Sequence, residues 1–208
     1  MISNAILNPA YETATHDVDF SDGYMRITPR KMNKGHENSE TAKYRQLTVP
    51  YCNGNGVDIG SGGDPVVPWA ISMDLPRGEF ATYHSQHDPR HAIHYGGDAK
   101  NLPFKDATLD FLYSSHLLED FLDWDPVLTE WARVVKPNGY IIILVPDKAL
   151  WKAALDRGQP PNCAHTHESR VGELSEHYRR LGMVEPVIDS LTNQFDGDYT
   201  VMFVGRKL

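Results

Sequence analysis

The sequence has few cysteines and no long apolar run, and each shortage excludes a class of protein. Two cysteines, Cys52 and Cys163, among 208 residues exclude a disulfide scaffold and a four-cysteine zinc site. No apolar run approaches the roughly 18 residues of a transmembrane helix, so we expect no membrane span. The polar N-terminus lacks the basic start and apolar stretch of a signal peptide. With so few thiols, these features predict a cytoplasmic protein.

Positive charge is also scarce. The chain has 28 acidic against 20 basic residues, a formal net charge of −8. Residues 1–50 hold six of each sign, so the whole excess lies in residues 51–208. Because an acidic surface repels the phosphate backbone, we expect no nucleic-acid partner. Apolar residues make up 40% of the chain, which is enough for one sizeable core.

The first fifty residues differ in pattern from the rest. They are polar and weakly periodic, with single prolines, and two stretches predict helices, residues 4–15 and 37–47. We therefore divide the chain into an N-terminal arm or helical cap, residues 1–50, and a main domain, residues 51–208. Two interpretations of the first segment stay open: a poorly ordered arm, or a cap that folds over a site and contacts substrate.

Short apolar runs alternate with helix-like segments from residue 56 onward. The predicted strands are 56–60, 70–75, 92–98, 109–115, 140–146, 184–191 and 199–207. The fifth has five consecutive aliphatic residues, as a strand buried on both faces should have. Apolar residues at helical spacing predict helices over 125–137 and 168–181. This alternation indicates an α/β fold with a doubly wound, mainly parallel sheet.

Ligands of such sheets bind where the strands end, at the carboxyl edge. The first strand runs through Asp58 into a glycine-rich turn, residues 60–63, where the backbone can approach a ligand closely. Pro65 stands where the dinucleotide fingerprint needs glycine. Only eleven residues separate the first glycine of the turn from Ser72, too few for a full crossover helix. This favours a nucleoside ligand without a diphosphate at that place.

Polar residues also end the next three strands. The second strand ends in Asp74, which is placed to accept hydrogen bonds from two ribose hydroxyls. The third ends in Asp98, and the fourth ends in Ser115 and His116. A single acid at a strand end is commonly a helix cap or a solvated loop residue. Three acids that close successive strands beside a glycine turn indicate a nucleoside site.

Together these segments resemble the class I S-adenosylmethionine-dependent methyltransferases, in particular the methyltransferase type 11 group. The resemblance covers residues 56–147 and is carried by VDIGSGG, MDL, GDAKNLPF, LDFLYSSHLLEDF and WARVVKPNGYIIILVPD. It implies a Rossmann-like, seven-stranded sheet, mostly parallel, with an antiparallel last strand over residues 199–207. It also implies S-adenosyl-L-methionine as cofactor and S-adenosyl-L-homocysteine as product.

The resemblance also implies which residues bind the cofactor. They are Asp58, Gly60, Ser61, Gly62, Gly63, Asp74, Leu75, Asp98, Ala99 and Ser115. By resemblance the turn faces the methionine part, Asp74 holds the ribose, and Asp98 binds the adenine edge. The third glycine of the family's turn falls on Asp64 here, with Gly63 one place early.

Methyl transfer from a sulfonium is an in-line displacement with a neutral leaving group. The protein therefore mainly aligns the nucleophile and excludes water. A general base is needed only for a poorly ionised hydroxyl or a protonated amine. His116 is the candidate catalytic residue, because it follows the fourth strand and titrates in the useful range. A structural histidine that shapes the pocket is the alternative. Glu119 reads as a helix residue, and Asp147 as a candidate substrate contact.

Histidines cluster in two further places. The first group is His84, His87, His91 and His94, and the second is His165 and His167. Neither repeats the acid or cysteine spacing of a zinc site, so we expect no metal. The second pair precedes a predicted helix and is a candidate for the acceptor pocket.

The acceptor that we expect is a small molecule or a sugar/lipid-linked precursor. The fourth strand ends in SSHL, without the proline-rich tetrapeptide typical of enzymes that methylate nucleic-acid amino groups, and the chain has no Pro-Cys dipeptide for cytosine C5 chemistry. Two alternatives stay open. One is a non-catalytic protein that binds S-adenosylmethionine or S-adenosylhomocysteine. The other is a nucleotide-dependent enzyme of another Rossmann-like family.

Overall fold

The apolar runs of the sequence assemble into one large mixed sheet with helices packed on it. The computed structural model of the chain describes residues 6–7, 16–19, 26–29, 39–75 and 95–208. The strands are β1 (Ile6–Leu7), β2 (His16–Asp19), β3 (Arg26–Pro29), β4 (Gly56–Ile59), β5 (Ile71–Asp74), β6 (Tyr95–Gly96), β7 (Leu109–Ser115), β8 (Val135–Pro146), β9 (Val184–Leu191) and β10 (Thr200–Lys207). The helices are α1 (Glu40–Thr48), α2 (Trp124–Val134), α3 (Lys148–Asp156) and α4 (Glu173–Leu181).

Among the described residues the large sheet has eight strands in the order β1-β6-β5-β4-β7-β8-β10-β9, and β2 pairs with β3 separately. Strands β6, β5, β4, β7 and β8 pair in parallel. The last strand, β10, is antiparallel to both of its neighbours. The doubly wound, mostly parallel α/β fold with an antiparallel last strand is therefore confirmed.

The strand count differs from the prediction of seven because the N-terminal segment adds an edge strand. Ile6–Leu7 pairs antiparallel with Tyr95–Gly96. The prediction of a helix over residues 4–15 is therefore wrong at these two positions, and the rest of that stretch lies outside the described residues. Pairing with an open sheet edge has overridden a weak local helix preference. The boundary at residues 50 and 51 stays a prediction.

Both faces of the sheet are covered. Side chains alternate between the faces of a strand, so Ile143 of β8 joins a core with Trp131 of α2 and Tyr178 of α4. Its neighbour Ile142 joins the opposite core with Tyr44 of α1. No helix in the described part of the chain is long and apolar enough to cross a membrane.

The helices begin and end where capping residues stand. Ser39 accepts a hydrogen bond from the Ala42 N–H at 2.9 Å and starts α1. The predicted helix over 168–181 begins later, at Glu173, because Gly172 has a φ of 89° that a helix cannot include. It ends as predicted at Gly182, with a φ of 67°. Between Gly60 and Ser72 the chain forms turns and no helix, as its length predicts.

Candidate functional site

The glycine turn between β4 and β5 adopts backbone conformations that need glycine. Gly60, Gly62 and Gly63 have φ values of 74°, 57° and 84°. The Gly60 N–H donates to the Met73 carbonyl at 2.8 Å, which ties the turn to β5. A Cβ at Gly60 would lie 2.9 Å from the Leu117 side chain. The turn therefore packs its backbone directly against the segment that follows β7.

Asp58 lies beneath this turn and is fully buried. Its Oδ2 accepts a hydrogen bond from the Val66 N–H at 2.7 Å and so holds the loop that replaces a crossover helix. Its Oδ1 has no hydrogen-bond partner among the described residues. Burial raises the pKa of this carboxyl well above its ordinary range.

Hydrogen bonds join Asp74 to the two neighbouring segments of the predicted site. Its carboxylate accepts from the Gly62 N–H at 2.9 Å and from the Leu75 N–H at 2.7 Å. Its backbone carbonyl accepts from the Gly97 N–H at 2.9 Å. The glycine turn, the end of β5 and the segment after β6 therefore lie side by side, as the sequence predicts.

Asp98 and Ala99 differ in exposure. Asp98 is exposed, and its Oδ1 accepts from the Lys100 N–H at 2.9 Å. Ala99 is buried, and its carbonyl accepts from the Trp131 indole N–H at 2.9 Å. Helix α2 thus fixes the backbone at Ala99, while the Asp98 carboxylate stays open to solvent or ligand.

The chain bends sharply where β7 ends. Ser115 is buried, and the next residue, His116, has a φ of 53°. This left-handed conformation is strained for a residue of that size. The His116 N–H donates to the Leu144 carbonyl of β8 at 2.9 Å, which holds the bend in place.

Four side chains from three segments meet at this bend and form what we call the imidazole–carboxylate cluster: Glu40, His116, Glu119 and His165. The Nδ1 of His116 and the Nε2 of His165 each lie 3.5 Å from Glu119 Oε1. The Nε2 of His116 lies 3.2 Å from Thr200 Oγ1 and 3.6 Å from Glu40 Oε2. The candidate base His116 therefore has a carboxylate on each side.

The surroundings shift the two imidazole pKa values in opposite directions. Burial alone lowers the pKa of His116, but the nearby carboxylates of Glu119 and Glu40 raise it by more, so the net direction is upward. Burial lowers the pKa of His165, and this outweighs the attraction of Glu119. A proton in the cluster therefore prefers His116. Titratable groups whose pKa values are pushed apart are typical of acid–base sites.

Aromatic rings surround the cluster. The Trp151 ring lies 5.2 Å from the His165 ring and 5.0 Å from the Tyr199 ring, between centroids. The Tyr199 ring lies 5.9 Å from the His116 ring, edge to face. All four rings are partly exposed, so they offer an aromatic surface beside the carboxylates.

Two sequence candidates lie apart from this cluster. The His167 ring packs against Trp124 at 4.1 Å between centroids, and its Nε2 lies 2.8 Å from Glu173. The Asp147 carboxylate accepts from the N–H groups of Ala149 and Leu150, so it caps helix α3.

The first histidine group lies outside the described residues. Within the described ranges, no group of three or more His, Cys, Asp or Glu side chains could hold a metal ion.

The sequence analysis missed the carboxylates of the cluster. Glu119 read as a helix residue, and its contact with His116 depends on the left-handed backbone at His116, which no sequence pattern indicates. Nothing in the sequence indicated that Glu40 belongs to the site, apart from its place in a predicted helix. Asp64, at the position of the family's third glycine, accepts from Arg45 at 2.7 Å and also contacts Ser39. The helix α1 thus holds the glycine turn.

The comparisons with known proteins agree with this arrangement. A family model described as a methyltransferase domain matches residues 57–143. A protein of Mycolicibacterium smegmatis, named as a probable S-adenosylmethionine-dependent methyltransferase, is 28% identical over 130 residues, covering 61% of this chain and 49% of that protein. The 27-O-demethylrifamycin SV methyltransferase of Amycolatopsis mediterranei is 24% identical over 192 residues, covering 79% of this chain and 70% of that protein.

The fold agrees as well. A crystal structure of a SAM-dependent methyltransferase from Thermotoga maritima matches with a TM-score of 0.59 at 20% identity, over 81% of this chain and 89% of that chain. The chain spans 49%, 15% and 35% of the lengths of three curated relatives that it matches. By the family model and the curated relatives the chain is similar to S-adenosylmethionine-dependent methyltransferases, and the Thermotoga maritima structure shows the same fold.

Proposed function

We propose that the protein is an S-adenosylmethionine-dependent methyltransferase that methylates a small-molecule or sugar/lipid-linked acceptor by in-line displacement. One observation carries the proposal. The glycine turn, Asp74, the segment 97–99 and His116 follow the carboxyl ends of four adjacent strands, β4, β5, β6 and β7. Hydrogen bonds connect the first three of these segments, so one ligand can span them.

The residues present fit the cofactor. When bound, S-adenosyl-L-methionine supplies an electrophilic methyl group on a positively charged sulfur. We assign the methionine part to the turn, Gly60 to Gly63, because glycine lets the backbone approach a ligand closely. We assign the ribose to Asp74, because a carboxylate at the end of the second strand of such a sheet is placed to accept hydrogen bonds from ribose hydroxyls. The exposed carboxylate of Asp98 suits the exocyclic amine of adenine.

Several residues have supporting roles in this assignment. Asp58 anchors the loop beneath the turn through the Val66 N–H. Leu75, half-buried after β5, and Ala99, held by the Trp131 indole, would pack against the base. Ser115 would line the path from the cofactor to the acceptor.

His116 is the proposed base for the acceptor. Its Nδ1 faces Glu119 and its Nε2 faces Thr200 and Glu40. In its neutral form it would take the proton that an acceptor hydroxyl or ammonium loses, which frees a lone pair of the acceptor for the in-line displacement that breaks the methyl–sulfur bond and releases neutral S-adenosylhomocysteine. The aromatic rings of Trp151 and Tyr199 beside it favour an organic acceptor with apolar surface.

Binding and turnover are tested separately. Calorimetric titration of the full chain with S-adenosylhomocysteine should give a one-to-one isotherm. Incubation of the protein with methyl-labelled S-adenosylmethionine and a cell extract should then transfer label to an extract component. If the protein binds S-adenosylhomocysteine but transfers no label in any extract, the proposed enzymatic activity is wrong. That result supports a non-catalytic protein that binds the cofactor. Folded protein that binds NADH but no S-adenosylhomocysteine supports a nucleotide-dependent enzyme instead.

A histidine variant tests the role of the proposed base. His116→Asn should keep S-adenosylhomocysteine binding and reduce transfer by about 10²- to 10⁴-fold, the usual contribution of a general base. His167→Asn is the matched control, because His167 packs on Trp124 away from the cluster. If His116→Asn and His167→Asn transfer label equally fast, His116 is a structural histidine.

A further inference from the structure

Glu119 is a buried carboxylate that the proposed chemistry has not yet used. Its side chain has no exposed surface, and neither carboxylate oxygen has a hydrogen-bond partner among the described residues. A buried charge without compensation is strongly unfavourable. The compensating groups in the structure are the imidazoles of His116 and His165, each 3.5 Å from Oε1.

The backbone around Glu119 is arranged to hold this pairing. The Glu119 carbonyl accepts from the N–H groups of Thr166 and His167, both at 3.0 Å. These bonds fasten the loop that carries His165 to the turn that carries Glu119. The backbone hydrogen bonds therefore help to hold the His165 imidazole beside the Glu119 carboxylate, opposite that of His116.

The two imidazoles are not equivalent. His116 also has contacts at its second nitrogen, with Thr200 Oγ1 at 3.2 Å and Glu40 Oε2 at 3.6 Å. A neutral imidazole carries one proton. If that proton is on Nδ1, it points at Glu119, and the lone pair of Nε2 can accept from the Thr200 hydroxyl. The reverse tautomer would place a lone pair against Glu119, which is fully buried. The favoured tautomer places the Nε2 lone pair beside the Thr200 hydroxyl, and the carboxylate near that nitrogen, Glu40, has a side chain that is one-third exposed.

We propose that Glu119 is a positioning residue, which holds the His116 imidazole with its proton on Nδ1 so that Nε2 is the basic nitrogen on the acceptor side. The proposal rests on the proposed function, because it assigns the orientation of that function's base. In this arrangement the tautomer of His116 is set by the carboxylate that faces its other nitrogen, Nδ1, at 3.5 Å.

Charged and titratable groups face His116 from every element packed against it. Glu40 and Lys43 lie on α1, Glu119 in the turn after β7, His165 in the loop before α4, and Tyr199 directly before β10. Glu119 is the one that contacts Nδ1, so a change there alters the tautomer as well as the charge. Glu40 lies near the other nitrogen, Nε2, and changes at Lys43, His165 and Tyr199 alter mainly the charge.

The test is a nitrogen NMR titration of the full chain with labelled histidine, because it reads charge and tautomer without activity. Wild-type His116, identified by its loss in His116→Asn, should titrate above 6.5, its ordinary value, and its neutral form should carry the proton on Nδ1. In Glu119→Gln the midpoint should fall by roughly one pH unit, a tenfold change in proton affinity. The tautomer should shift toward Nε2–H.

Glu176→Gln is the matched control, since Glu176 is an exposed carboxylate paired with Arg170 at 2.6 Å. It should leave the His116 titration unchanged. An unchanged midpoint and tautomer in folded Glu119→Gln overturns the proposal. If Glu119→Gln does not fold, the wild-type spectrum still decides, because a neutral His116 protonated on Nε2 overturns the proposal by itself.

The proposed function fails in a different measurement. If the protein binds no S-adenosylhomocysteine, the proposed methyltransferase function is wrong. The NMR measurement on Glu119 and His116 does not depend on that binding result.

Discussion

At the residue scale, the three acids of the predicted cofactor edge are built into the structure in different ways. Asp58 is fully buried and anchors a loop. Asp74 is half-buried and joins the turn to β5. Asp98 is exposed, and its carboxylate accepts from the nearby Lys100 N–H. A substitution of Asp74 therefore tests ligand binding most directly, because it removes a carboxylate that borders both the turn and the predicted ribose position.

Asp74→Ala should weaken S-adenosylhomocysteine binding by at least tenfold. Each hydrogen bond to a charged group contributes about 1.5–3 kcal/mol, and the variant also releases the N–H groups of Gly62 and Leu75. Calorimetry measures the affinity. The control is Asp196→Ala, which removes an exposed carboxylate in the turn before β10. Equal affinity of Asp74→Ala and wild type would show that the ribose assignment is wrong.

Gly60→Ala should destabilise the protein more than Gly182→Ala. Both glycines have similar positive φ values, 74° and 67°, so both variants incur about 1–2 kcal/mol of backbone strain. A Cβ at Gly60 also meets Leu117 at 2.9 Å, whereas a Cβ at Gly182 meets nothing within 4 Å. Denaturant midpoints measure the difference. Equal losses would mean that Leu117 moves aside freely.

His116 was predictable from sequence because it follows a strand, and strand ends converge at one edge. Glu119 was not predicted as its partner because the contact depends on the left-handed turn at His116, which local pattern does not reveal. His165 was predicted to be near the acceptor pocket, but its approach to the same carboxylate depends on loop contacts across 46 positions of sequence.

At the scale of elements, α1 links both sides of the candidate site. Arg45 binds Asp64 in the loop after the glycine turn at 2.7 Å. The Tyr44 hydroxyl donates to Asp198, in the loop before β10, at 2.7 Å. Glu40 on the same helix reaches the imidazole–carboxylate cluster. The helix thus connects the cofactor turn with the predicted acceptor side.

Tyr44→Phe should lower the free energy of unfolding by about 1.5–3 kcal/mol, because it removes a buried hydrogen bond to a carboxylate. Tyr178→Phe is the control, since the Tyr178 hydroxyl is buried with no hydrogen-bond partner among the described residues. It should be neutral or stabilising. Urea denaturation measures the free energy of unfolding of both variants. Similar losses of this free energy would mean that the hydrogen bond from Tyr44 to Asp198 contributes nothing to stability.

Elements with strong periodic patterns were predictable, and those set by distant contacts were not. Helix α2 and strand β8 followed from their apolar spacing. Strand β1 exists only by pairing with β6, and α4 starts late because the Gly172 N–H donates to Asp189 of β9 at 2.9 Å. Such bonds form between segments that are far apart in sequence, so a local pattern cannot place them.

At the scale of the whole molecule, the site lies where the order of the sheet reverses. From β4 the chain continues outward to β5 and β6 on one side and then returns to β7 and β8 on the other. Open α/β sheets bind ligands at this switch point. The proposed cofactor residues that follow β4, β5 and β6 lie on one side of the switch, and the cluster around His116, after β7, lies on the other, as the proposed transfer between two substrates requires.

The charge on His116 should make the stability of the whole protein depend on pH. Its pKa is raised in the folded state, so the folded protein binds a proton more tightly than the unfolded chain does. This stabilisation is fully present below 6.5, the ordinary value, and is lost as the pH rises through the folded pKa. His116→Asn lacks this contribution. Wild type should therefore lose stability relative to His116→Asn across that window, by about 1.4 kcal/mol for each unit of pKa shift.

His165→Asn is the control of opposite sign. The folded pKa of His165 is lowered, so this residue destabilises the folded protein as the pH falls below 6.5. The His165→Asn variant should therefore lose less stability below pH 6.5 than wild type does. Above pH 6.5 its stability should be nearly the same as that of wild type. Urea denaturation at a series of pH values measures all three proteins. If the free energies of unfolding of wild type and His116→Asn change with pH in parallel, the carboxylates around His116 do not raise its pKa in the folded protein.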